Sequence, residues 1–257
     1  GLSEVVDSFK PELIYCCMTG DKSLTPYEPW EDIQRETEKG RTKTFNWFCD
    51  DTWRFDTFSS RVCNLFHVCS TVEKDYLEKF KKIGYNNIVH GMWHTNLDFY
   101  PRVSEKNIDI SFCGIPNVER ESFTNALINQ QMPVEYRYGI SHEDMCELFS
   151  RSKISLNFSK NMTLTPPRRQ IKARLFEVPA GGALLCTEET PGLEEYYKLD
   201  EEVITFTNSL ELYEKCKYLL KNDNVRKRIA ENGFNRFKKE HESKQRLPKV
   251  LNEIMNT

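Results

Sequence analysis

Short apolar runs alternate along this chain with longer stretches in which apolar residues recur every three or four positions. The short runs predict nine strands: ELIYCC (12–17), TFNWFC (44–49), NLFHVCS (64–70), NIVHGM (87–92), IDISFCG (108–114), VEYRYG (134–139), ISLNFS (154–159), ALLCT (183–187) and EVITF (202–206). Between them lie amphipathic helical patterns. In VEKDYLEKFKKIG (72–84), Val72, Tyr76, Leu77 and Phe80 form one apolar stripe and Gly84 is a stop signal. Residues 118–130, 142–152, 209–222 and 224–241 follow the same logic. Apolar strands alternating with helices predict an α/β fold with parallel sheets covered on both faces. No segment repeats at a fixed period.

The pattern breaks at GMWHTNLDFYPRVSEKN (91–107), which has a Gly, a Pro and no sustained period. Two Rossmann-like lobes are expected, 1–102 and 103–257. The first is the smaller, with four strands and a start on a helix end, so it reads as a reduced or truncated lobe.

Composition narrows the class. The chain has 257 residues, is 39% hydrophobic and 29% charged, and carries a net charge of −3, which gives no global attraction to nucleic acid or anionic lipid. No apolar run approaches the roughly 20 residues of a transmembrane helix. GLSEVVDSFKPELIYCC has no basic start followed by an apolar segment, so no signal peptide is expected. Nine cysteines, several inside apolar runs and none in a zinc spacing, predict reduced, buried thiols in a cytoplasmic protein.

Candidate chemistry collects where strands end, because there turns and helix N-termini offer N–H groups to anions. Gly114 follows ISFCG and Arg120 lies in the first turn of the next helix. ISLNFS leads into KNMTLTPPRRQIKAR, with Lys160, Arg168, Arg169, Lys172 and Arg174. This basic loop is either a solvated turn or a diphosphate site, and its two prolines reduce its freedom. The run RLFEVPAGGALLCT then places Glu177 on a helix before Gly181 and Gly182. The glycine pair reads equally as a helix C-cap. A buried Glu177 needs a partner, either an arginine or a pair of ligand hydroxyls. In FNWFCDDTW, Asp50 and Asp51 follow a strand, where Asp51 is a candidate base or a helix cap. His94 falls in the linker region, as a base or a hinge residue.

These segments, in order, resemble the GT-B glycosyltransferases of the glycosyltransferase group 1 superfamily, most nearly the CgeB-like (spore maturation protein) branch. The resemblance runs over about residues 44–245. It rests on FNWFCDDTW, FHVCSTVEKDYLEKFKKIG, GMWHTNLDFYP, SKISLNFS and RLFEVPAGGALLCTEETPGLEE. It implies transfer of a sugar from a UDP- or GDP-linked donor without a metal or other cofactor. Glu177 would then accept hydrogen bonds from the donor ribose, Gly181 and Gly182 would lie near the sugar or diphosphate, and Arg174, Lys172 and Arg120 would offset the diphosphate charge. If the reaction inverts, Asp51, Asp50 and His94 are the candidate bases. Many retaining relatives carry a second Glu eight positions before the first. Here that position holds Arg169, which would bind phosphate instead. A degenerate GT-B protein that binds nucleotide or glycan without transfer is the alternative. A nicotinamide-dependent enzyme lacks its fingerprint, since no G-x-G-x-x-G follows a strand. The acceptor stays open among glycan, protein, lipid-linked and nucleic-acid substrates, as does the oligomeric state.

Overall fold

The computed structural model describes residues 1–23, 25–161 and 166–257. The centre of the basic loop, residues 162–165, lies outside them. The chain forms two compact units: Gly1–Met92 with Thr163–Arg168 and Leu247–Thr257, and Trp93–Met162 with Arg169–Arg246. The divide falls within the predicted linker stretch, at Met92/Trp93 rather than after residue 102. The last eleven residues, expected in the second lobe, belong to the first unit.

The first unit contains a four-stranded parallel sheet, β1 (Leu13–Cys16), β2 (Lys43–Phe48), β3 (Val68–Thr71) and β4 (Ile88–His90), in that spatial order. The four-strand reading of this lobe holds. Phe45, Val68 and Cys69 are wholly buried, as expected for strands covered on both faces. Phe48, Phe55, Phe80 and Tyr85 pack with Ile33 from the helix Trp30–Lys39. The stripe read over residues 72–84 forms a shorter helix, Tyr76–Lys82, with Tyr76 and Phe80 buried.

The second unit contains β5 (Ile108–Cys113), β6 (Glu135–Arg137), β7 (Ser152–Asn157), β8 (Leu184–Glu188) and β9 (Ile204–Phe206). All pair in parallel, in the order β9-β8-β7-β5-β6. The chain therefore steps outward from β5 to β6, then returns to the other side of β5 and steps outward through β7, β8 and β9. That reversal makes the carboxyl ends of β5 and β7 a topological switch point, where open α/β sheets bind ligands. Phe112, Phe158 and Phe206 pack edge to face in the core of this sheet, with Phe112 and Phe158 ring centroids 4.9 Å apart. Burial of each such ring contributes about 1.5–3 kcal/mol.

Candidate functional site

At the switch point the helix Val118–Asn129 begins after β5, capped by Asn117, whose side chain accepts from the Arg120 N–H at 2.9 Å. The helix Arg174–Ala180 buries Leu175, Phe176, Val178, Pro179 and Ala180. The Tyr197 hydroxyl anchors it by donating to the Leu175 carbonyl at 2.9 Å. Arg174 and Glu177, three positions apart, share the half-buried face.

Two guanidinium groups converge there. Arg174 lies 5.4 Å and Arg120 5.6 Å from the Phe112 ring. A Cβ placed on Gly114 would stand 3.2 Å from Arg174 Nη1, 3.5 Å from Arg120 Nη1 and 2.9 Å from Phe112 Cζ. Gly114 thus lets the Phe112 ring and the two guanidinium groups come close to the backbone. Arg174 Nε donates to Asn157 Oδ1 at 3.3 Å, and Asn157 is oriented by donating to Thr187 Oγ1 at 2.9 Å. Among the described residues, neither Arg120 nor Arg174 has a carboxylate oxygen within ion-pair distance. Burial, and for Arg174 the neighbouring Arg120 charge, pulls both below the usual arginine range. Arg120 Nε and the Tyr136 hydroxyl are buried without a hydrogen-bond partner among the described residues. Burial raises the Glu177 carboxyl while the Arg174 charge lowers it. The arrangement is a cluster of donors lacking a counter-anion among the described residues, with one carboxylate beside it, and suits a phosphorylated ligand that also bears hydroxyls.

The rest of the basic loop is tied into the protein. Lys172 Nζ donates to the Lys160 carbonyl at 3.1 Å, and Lys160 Nζ pairs with Glu119 at 2.6 Å. Arg169 is exposed, 3.7 Å from Glu188 Oε1. Glu188 itself was missed in the sequence. It is 1% exposed at the end of β8, and its Oε2 accepts from the Ser159 N–H at 2.7 Å and the Lys160 N–H at 3.2 Å. This carboxylate fixes the loop after β7. Its only sequence signal is the acidic end of the apolar run ALLCTEE.

Gly181 and Gly182 do not join the cluster. They end the helix Arg174–Ala180 on the side where β8 begins, the opposite end of the sheet. A Cβ on Gly181 would lie 2.8 Å from the Phe149 carbonyl carbon, and Gly182 has φ +69°. The pair therefore serves close packing and a left-handed turn, the C-cap reading.

In the first unit, Asp50 and Asp51 follow β2. The N-cap of the helix Asp51–Arg54 is Asp50, and it makes no side-chain capping bond. Asp50 lines a cavity of about 190 Å³ with Trp47, Cys49 and Arg54. Asp51 is 1% exposed, with neither carboxylate oxygen in a full hydrogen bond. Burial pushes it up to about 6, and the nearby Ser59 and Thr71 hydroxyls hold it from rising further. Glu73, just beyond β3, is a second buried carboxyl that the sequence reading passed over. Burial pushes it up to about 7, opposed by Arg168, and its Oε1 has no partner. It was hidden at the start of a run read as helix. His94 sits in the second unit, its Nδ1 2.9 Å from Ser243 Oγ, and burial lowers its pKa.

All nine cysteines are free. Among the described residues no helix is long and apolar enough to cross a membrane, and no cluster of three His, Cys, Asp or Glu side chains is placed to hold a metal ion.

Two parallel α/β units, the second with a donor-lined crevice at its switch point, define a GT-B type glycosyltransferase fold. Solved structures share it. The Anabaena protein HepE in complex with UDP aligns with TM-score 0.67 at 10% identity, over 100% of this chain and 82% of that one. A glycosyltransferase from Rickettsia africae aligns with TM-score 0.64 at 13% identity, over 99% and 79%. An alpha-glucosyltransferase in complex with UDP-glucose and DNA containing an abasic site aligns with TM-score 0.68 at 11% identity, over 98% and 84%. At these identities the likeness speaks for the fold alone. No curated protein matches by sequence. The model of the glycosyl transferase-like family matches residues 80–252, and the chain belongs to that family. It is a transferase.

Proposed function

We propose that this protein transfers a glycosyl group from a nucleoside diphosphate sugar, with the donor diphosphate held at the crevice of the second unit. The observation that carries the reading is the pair Arg120 and Arg174, half-buried around Gly114 without a carboxylate partner. Such a pair is electrostatically incomplete until an anion binds. As the glycosidic bond breaks, the departing diphosphate gains charge, and preorganised guanidinium groups stabilise that change. They take the part that a divalent ion plays elsewhere, so the reaction is assigned as metal-independent. Glu177, on the same helix face as Arg174, accepts hydrogen bonds from the ribose hydroxyls. The HepE and alpha-glucosyltransferase structures contain UDP or UDP-glucose, which favours a uridine donor here. The motifs around Glu177 and the TEETPGLEE loop favour the CgeB-like branch.

On an inverting course, Asp50, which lines the cavity beyond β2, is the candidate to take the proton of the acceptor hydroxyl, with the buried Asp51 behind it. Asp51, raised to about 6 by burial, is ionised at neutral pH. His94, bonded to Ser243, is left without a role in this reading.

Calorimetric titration tests the donor site. Glu177→Ala is expected to weaken UDP binding by about 1–3 kcal/mol, through loss of charge-assisted hydrogen bonds. Unchanged affinity for both UDP and GDP would remove the ribose role. Hydrolysis of UDP-glucose by the unaltered chain then distinguishes turnover from binding alone.

A further inference from the structure

At the other end of the second sheet, where β5, β7 and β8 begin, the protein has a cavity of about 520 Å³. This lies within the size range of small-molecule sites. Lys106, two residues before β5, is a half-buried cation on its wall. Its Nζ donates to the Ser150 carbonyl at 2.7 Å and the Gly181 carbonyl at 3.1 Å. Two carbonyls leave one ammonium N–H over, and no carboxylate lies within ion-pair distance among the described residues. Arg226, 4% exposed, faces the same space and pairs with Asp223 at 2.6 Å, which Lys227 on the rim shares at 3.8 Å. Lys153, on the rim, is likewise paired with Asp109 at 2.6 Å. Arg102 lies 4.8 Å from the Phe234 ring and has no ion pair among the described residues. Lys106 and Arg102 are therefore two uncompensated cations opening on one cavity. Glu105 and Glu231, both exposed and without an ion pair among the described residues, complete its polar wall.

We infer that this cavity binds a small phosphomonoester of about monosaccharide size, its phosphate held by Lys106 and Arg102. The compact ammonium and the planar guanidinium supply point and fork donors to the same anion. The two unpaired carboxylates accept hydrogens from sugar hydroxyls, and Ala230 and Phe234 offer apolar surface to the ring carbons. Gly182, whose left-handed backbone carries no side chain, keeps the floor beside Lys106 clear. A bare inorganic phosphate fills only part of this volume. None of these residues belongs to the Arg120–Arg174 crevice, so the inference stands apart from the donor reading.

Calorimetric titration of the full chain with glucose 6-phosphate, inorganic phosphate and glucose tests it. Saturable one-site binding of glucose 6-phosphate is expected, tighter than that of phosphate, with none for glucose. Arg102→Ala and Lys106→Gln should each weaken that binding at least tenfold, whereas Arg174→Ala should leave it unchanged. Arg102 is exposed, so its variant decides the matter even if Lys106→Gln misfolds. Absence of binding at millimolar glucose 6-phosphate, or binding lost in Arg174→Ala and kept in Arg102→Ala, overturns the assignment.

Discussion

The two sheets of this protein are built alike and charged oppositely at their carboxyl ends. Beyond β2 and β3 stand three carboxyl groups, Asp50, Asp51 and Glu73, two of them buried. Beyond β5 and β7 stand Arg120 and Arg174 with Glu177 beside them, while Glu188 and Glu119 are bonded to the loop after β7. Helix N-termini favour anions at such edges by only about 0.3–1 kcal/mol. A shift of one pKa unit already corresponds to about 1.4 kcal/mol. Asp51 rises from 3.8 to about 6 despite its place at a helix start, so burial overrides the backbone there. Parallel strands supply a place for chemistry. The side chains at their tips decide its sign.

The sharpest way to break this contrast is at the basic edge. Arg174→Ala should weaken UDP binding by about 1.5–3 kcal/mol, the range for a hydrogen bond to a charged group, read by calorimetry. At the acidic edge the effect is on stability. Asp51 has a folded pKa of about 6 against 3.8 for the free group, so its protonated form is favoured by folding. The stability this contributes is full below pH 4 and is lost as pH rises through 6. Asp51→Asn should flatten that dependence and stabilise the protein by about 2–3 kcal/mol at pH 7.5. Urea unfolding at pH 4.5 and 7.5 reads the difference. A variant no more stable than the parent at pH 7.5 would mean that Asp51 is solvated.

Smaller effects separate packing from ligand contact. Gly181→Ala drives a methyl group into the Phe149 backbone and should destabilise the fold by about 1–3 kcal/mol, with UDP affinity retained in the folded fraction. Arg169→Ala removes an exposed partner 3.7 Å from Glu188, and a thermal melt should register less than about 1 kcal/mol.

Strands such as IDISFCG and ALLCT were readable because burial on both faces leaves an unbroken apolar run. The helix Trp30–Lys39 was not. Its core side includes Glu36, buried and bonded to Lys39, Arg41 and Ser3, so a polar residue stands where periodicity expects an apolar one. The helix Ser243–Asn256 carries Pro248 inside it, which reads as a stop. Turn and strand-end logic singles out Gly114, Arg120, Arg174 and Glu177 as candidates, and the first, second and third of these stand close together in the fold. Glu188, Tyr136 and Glu73 acquire their surroundings only through tertiary packing, and no local pattern announces that.

The closing segment has a practical consequence for anyone who divides the gene. Ile254, wholly buried, packs with Phe45 and Val68, and Lys43 Nζ donates to the Ile254 carbonyl at 3.1 Å. A clone stopping at the linker would leave a bare apolar groove on its sheet and invite aggregation. Fusing residues 247–257 back onto such a fragment through a short glycine-serine tether would restore the missing wall.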